Sequence, residues 1–142
     1  MLSSSWIVLG LLSAASASLV AIFGKIGLKN VDTTLATTIR AIIMAVFLVI
    51  ATVSLGKWHG VSNISNKALL FIALSGIAGA VSWLFYFGAL KIGPATAVAG
   101  LDRLSVVFVL IFSVIFLSEA FTWKLGLGAL LMALGAILMV FK

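Results

Sequence analysis

A chain of 142 residues that is 64 % hydrophobic and only 8 % charged, with a mean hydropathy of +1.38, has too few charges for a water-soluble domain, where they make up roughly a quarter of residues. The lack of cysteine excludes disulfides, thiolate chemistry and cysteine metal sites. The net charge of +6 comes from nine Lys and Arg scattered over the ends of apolar stretches, not gathered into a stripe, which argues for anionic lipid headgroups over nucleic acid as their partner.

Five apolar stretches, 6–24, 33–55, 68–90, 95–117 and 125–141, each approach the length of about 20 residues that crosses a hydrocarbon core. The connections 25–32, 56–67, 91–94 and 118–124 are too short to hold an extramembrane domain with its own core. The expected fold class is therefore all-α: a polytopic protein of the cell (inner) membrane, with five transmembrane helices in one domain covering 1–142.

In the first helix Gly10, Ala14, Ala17, Ala21 and Gly24 form a stripe of small residues beside Ser13 and Ser16, suited to close approach of a neighbouring helix. Ser16-Ala17-Ser18 has the small-x-small form of a signal-peptide cleavage site. Met1 to Ser5 carries no Lys or Arg, however, and no soluble domain follows, so this segment is read as a span.

The second helix carries Arg40 about seven residues in, and the fourth carries Asp102 at the same depth, both measured from the same side of the bilayer. At about 1.5 Å rise per residue, both lie on the order of 10 Å below that surface. Pairing removes much of the cost of each charge in hydrocarbon, about 2.5–3.5 kcal/mol on insertion scales, so Arg40 and Asp102 are expected to be close, within a protomer or across a dimer. Arg103 points about 100° away from Asp102 on a helix. Either it faces an aqueous cavity and attracts an anionic or zwitterionic group by bidentate contact, or it snorkels to the headgroups. Asp102 is also the candidate for a protonatable coupling group.

In the third helix Ser75, Gly79, Ser82 and Tyr86 fall at i, i+4, i+7 and i+11, a small and hydrogen-bonding face expected to turn inward, with Trp83 and Tyr86 as aromatic walls of a cavity. Pro94 suits a first helical position in the fourth helix. Glu119 and Lys124 bracket a turn in which Thr122 is placed to cap the fifth helix, with Trp123 at the interface. That last helix holds Gly128, Ala129, Met132, Ala133, Gly135 and Ala136 without an internal charge, a scaffold for a dimer. His59 stands in a loop with no companion ligands, and no metal site or cofactor is expected.

Five crossings put the termini on opposite faces. One face then carries Lys25, Lys29, Lys91 and Lys142, the other Lys57, Lys67 and Lys124. So near a balance gives the positive-inside rule little to act on, although counting Arg40 and Arg103 tilts it toward a cytoplasmic face for the first and third connections; a chain that inserts both ways can form an antiparallel homodimer, the two-chain form of an inverted-repeat transporter. A single topology with a parallel or foreign partner is the alternative.

Several runs together resemble the EamA-type domain of the drug/metabolite transporter superfamily, in particular its short five-helix bacterial and archaeal members. They are Gly24-Lys25-Ile26-Gly27, Leu35-Ala36-Thr37-Thr38-Ile39-Arg40, Trp83-Leu84-Phe85-Tyr86-Phe87-Gly88-Ala89-Leu90, Gly93-Pro94-Ala95, Leu101-Asp102-Arg103-Leu104-Ser105 and Phe116-Leu117-Ser118-Glu119. The resemblance spans essentially the whole chain. It departs at Arg103, where the short members lead one to expect Lys, and at Ser118, where Gly often precedes the Glu. Larger relatives resemble two such units fused with inverted topology, so the resemblance implies that this unit is half of a ten-helix assembly. The four-helix multidrug exporters of the superfamily use a Glu in their first helix. The first helix here has no acidic residue, which argues against that mechanism.

The expected function is secondary transport of a small polar metabolite, anionic or zwitterionic, by alternating access in a homodimer. Arg40, Asp102, Arg103, Trp83, Tyr86, Ser105 and Ser82 are the candidate substrate-binding residues. A non-transporting subunit or assembly factor, in which the buried charges only set helix register, is the second reading. An enzyme is not expected, since no nucleophile–base pair, ligand cluster or acidic dyad is visible.

Overall fold

The structure is a computed structural model that describes residues 5–141; Lys142, counted above among the basic residues of one face, lies outside them. Six α-helices are described: α1 (Ser5–Gly27), α2 (Thr33–Ser54), α3 (Asn66–Ile92), α4 (Ala95–Asp102), α5 (Ser105–Phe116) and α6 (Trp123–Val140), with a 3-10 helix over Trp58–Asn63. Five stretches are long and apolar enough to cross a membrane, with α4 and α5 together forming the fourth, Ala95–Phe116. The all-α class and the five spans agree with the hydropathy pattern. A fourth helix without interruption does not, because a turn divides it at Arg103 and Leu104.

Local chemistry explains the helix ends. Asp32 caps α2: one carboxylate oxygen accepts from Thr34 N at 2.9 Å and Leu35 N at 3.0 Å, satisfying amides that have no partner within the helix. At the other end Gly56 takes φ +65°, with Gly56 N donating to Val53 O and Lys57 N to Thr52 O, the paired bonds of a glycine-terminated helix. Pro94 is the residue before α4, not its first member: φ −67° and ψ 137° put it outside the helix, while its carbonyl accepts from Val98 N at 3.0 Å. Thr122 caps α6 as expected, accepting from Leu125 N at 3.3 Å.

The chain divides into two compact units, one formed by the segments up to Ile26 and from Ile92 onward, the other by Gly27–Lys91. In the first, α6 packs against α4 and α5. Ala129 and Ala136 of α6 and Ala97, Val98 and Gly100 of α4 are buried. The α4–α6 approach is close at Gly100, where an added Cβ would stand 2.8 Å from Met139 Sδ. Lys25, in the last turn of α1, donates to the Gly93 carbonyl at 2.8 Å. In the second unit the buried residues are Leu28, Thr37, Phe87 and Leu90, and Lys91 donates to the Val31 carbonyl at 2.8 Å. Both lysines thus satisfy backbone carbonyls in the connections between spans, where helix geometry provides no donor.

The small-residue stripe of α1 is packed only in its second half: Ala21 is buried and Ala17 and Gly24 half-buried, whereas Gly10 and Ala14 are exposed. In α6, Gly128 and Gly135 are open, with nothing within 4 Å of an added Cβ. Large apolar side chains are exposed along every span. In a bilayer such surface meets lipid tails, which are as apolar as the side chains, so its exposure carries no hydrophobic penalty.

Candidate functional site

The site residues fall into two groups, one in each unit. In the Gly27–Lys91 unit, Asp32 starts α2, and Thr37 and Thr38 follow with their hydroxyls donating to the Thr33 and Thr34 carbonyls at 2.7 and 2.9 Å. Those bonds satisfy hydroxyls that would otherwise be costly in hydrocarbon. Arg40 comes next, and its guanidinium carbon lies 3.5 Å from the centre of the Trp83 ring and 5.5 Å from that of Phe87.

Trp83, Tyr86 and Phe87 stand at i, i+3 and i+4 on α3, the spacing at which helical side chains meet. Their ring centres are 5.5 Å apart for Trp83–Tyr86, 5.7 Å for Trp83–Phe87 and 6.2 Å for Tyr86–Phe87. Phe87 is buried; Arg40, Trp83 and Tyr86 are half-buried. Among the described residues of this unit the guanidinium is held by ring faces and donates no hydrogen bond. A cation–π contact is worth about 0.5–1 kcal/mol at an exposed site and about 2 kcal/mol when desolvated, which offsets part of the insertion cost of the charge, about 2.5–3.5 kcal/mol.

Arg40, Trp83 and Tyr86 therefore come together as one cluster. Phe87 joins them, although sequence reasoning passed over it: an apolar residue amid Leu and Phe gives no sign of facing a cation. Ser82 is exposed, as is Ser75, while Gly79 and Tyr86 are half-buried. The packed face of α3 is set by Trp83, Phe87 and Leu90 and lies partly round from the predicted one.

In the other unit Asp102, Arg103 and Ser105 mark the break between α4 and α5. Arg103 N donates to Gly100 O at 3.1 Å, Leu104 N to Leu101 O at 3.0 Å, Val106 N to Arg103 O at 3.1 Å and Val107 N to Leu104 O at 2.9 Å. All four span three residues in place of four, the tighter 3-10 pattern that marks hinges within helices. Asp102 is half-buried, whereas Arg103 and Ser105 are exposed. The 100° angle expected between Asp102 and Arg103 assumed an unbroken α-helix, so it does not describe this turn.

After α5 the chain reverses through Ser118, which takes φ +55°, with Leu117 N and Glu119 N both donating to Ser113 O at 3.0 and 3.2 Å. This left-handed conformation accounts for glycine being the expected residue there.

A model of the EamA-like transporter family matches residues 4–141. A Sinorhizobium sp. protein described as "Uncharacterized transporter in cobO 3'region" is 43 % identical over 138 residues, which cover 97 % of this chain and 98 % of that protein. No solved structure matches the chain.

Proposed function

The chain belongs to the EamA-like transporter family, and from that premise we propose that it is a secondary transporter of small anionic or zwitterionic metabolites. In this reading it works in the inner cell membrane as an antiparallel, dual-topology homodimer with alternating access. The observation that carries the substrate class is the Arg40 guanidinium carbon over the Trp83 ring, 3.5 Å from its centre. A cation so held, half-buried and with its N–H rim unused within its unit, suits a carboxylate or phosphate by bidentate contact.

The assembly rests on charge and surface. Four lysines at the span ends of one face, Lys25, Lys29, Lys91 and Lys142, oppose three at those of the other, Lys57, Lys67 and Lys124, a bias too small to select one orientation strongly. The open Gly128 and Gly135 of α6 offer a second copy a close approach. The 3-10 turn at 103–104 divides the fourth span into two rods, and α4 is pinned to α6 at Gly100. Movement of α5 about that turn is the conformational step. Asp102, at the turn, is the proposed coupling carboxylate.

Uptake of radiolabelled carboxylates, phosphates and amino acids into proteoliposomes tests this reading. The wild type should carry at least one anionic or zwitterionic class, and Arg40→Gln should lower its uptake roughly ten-fold or more, the loss of one charge-assisted contact. Arg40→Lys, which keeps the charge and loses the fork, should fall between. Flux confined to cations, or undiminished in Arg40→Gln, contradicts the proposal. No flux of any class, with the protein bound stably to a different chain, favours the subunit reading.

A further inference from the structure

The aromatic cluster on α3 already has a cation in it. Recognition of ammonium ligands typically places the charge over the face of Trp with further rings around it. Here Trp83 supplies the face, Tyr86 stands edge-on to it at 5.5 Å, and Phe87 lies 5.7 Å from it. The occupant is the protein's own Arg40, 3.5 Å from the Trp83 centroid and 5.5 Å from that of Phe87.

We propose that Arg40 is a tethered cation that fills the Trp83–Tyr86–Phe87 site and is thereby the residue that bars organic cations from it. This deepens the transport reading and rests on it for the site's role in substrate selection. Two physical effects act together. The Trp83 face that an organic cation would cover is already taken at contact distance, and the fixed positive charge repels a second one through a medium of low dielectric. The three rings themselves are of the kind that binds a bulky, weakly hydrated cation. Thr37, one turn earlier on α2, does not compete for the ligand, because it is buried with its hydroxyl committed to Thr33 O at 2.7 Å. Removal of the guanidinium should therefore both vacate the ring face and create affinity for the class it excluded.

The test is equilibrium binding of radiolabelled tetraphenylphosphonium to the full-length protein in detergent, corrected with empty micelles. Arg40→Ala and the closer-shaped Arg40→Gln should each bind roughly ten-fold or more tightly than wild type. Arg40→Lys should stay as weak as wild type because it keeps the charge. Adding Trp83→Ala to Arg40→Ala should abolish the gain. If Arg40→Ala does not remain monodisperse, the Arg40→Gln protein decides. The proposal is overturned if neither neutral variant gains affinity, or if the gain survives loss of Trp83. Uptake of carboxylates, phosphates and amino acids by wild type, measured in parallel, separates the two ideas. No uptake with a cation-binding gain in the variants removes the transport reading and keeps the tethered cation; uptake without that gain does the reverse.

Discussion

Gly100 gives the sharpest structural prediction, because it sits tightly against α6. A Cβ at that position would lie 2.8 Å from Met139 Sδ, 3.5 Å from Met139 Cβ and 3.8 Å from Ala136 Cα. The first distance falls short of ordinary contact by about 0.6 Å, but the obstructing atom lies well along an unbranched side chain that can rotate away. Alanine also removes the entropy cost of glycine in a helix, about 0.5–1 kcal/mol. These terms oppose each other, so Gly100→Ala should change stability by less than about 1 kcal/mol. Gly100→Val adds branches that meet the α6 backbone at Ala136, which has no rotamer to offer, and overpacking of that kind costs about 1–3 kcal/mol. Far-UV circular dichroism followed through SDS titration in mixed micelles reads both values. Equal tolerance of Ala and Val would mean that α4 and α6 do not make this approach, and the pinned-rod account of the fourth span would fail with it.

Three further substitutions follow from the same structure and the same titration. Ser118→Gly should stabilise by about 1 kcal/mol, since φ +55° burdens a residue with a Cβ and not a glycine; destabilisation by Gly would contradict the left-handed turn. Asp32→Ala removes the acceptor of two helix-start amides and should cost about 1 kcal/mol, with Asp32→Asn close to neutral; an Ala variant as stable as wild type contradicts the cap. Trp83→Leu should cost about 3 kcal/mol, from the cation–π contact and the lost ring–ring packing, and Trp83→Phe roughly half as much; a Leu variant within about 0.5 kcal/mol of wild type would show that the ring does not hold the Arg40 charge.

The spans were legible in the sequence because length and hydropathy alone determine them in a bilayer, and the start of the last helix at Thr122 was legible from cap chemistry. The break at Arg103 was not. Leu101-Asp102-Arg103-Leu104-Ser105 contains neither Gly nor Pro, and a run of bonds shortened from four residues to three leaves no trace in composition. Arg40 and Trp83 were both singled out, yet only a carboxylate was considered as the partner of the charge. A ring face offers a cation comparable relief in a dry setting, and its position on a different helix gives no spacing to read. Ser82 was chosen from the period of small residues on α3, but the larger rings of Trp83 and Phe87 decide which face packs.

The most direct test of the whole account is the orientation of the chain in the membrane. Asn30→Cys and Asn63→Cys place single thiols in the connections on opposite faces without altering the balance of lysines, in a sequence with no native cysteine. An impermeant thiol reagent applied to intact cells should label about half of the molecules at each site, as dual insertion requires. Complete labelling at one site with none at the other would contradict the antiparallel homodimer.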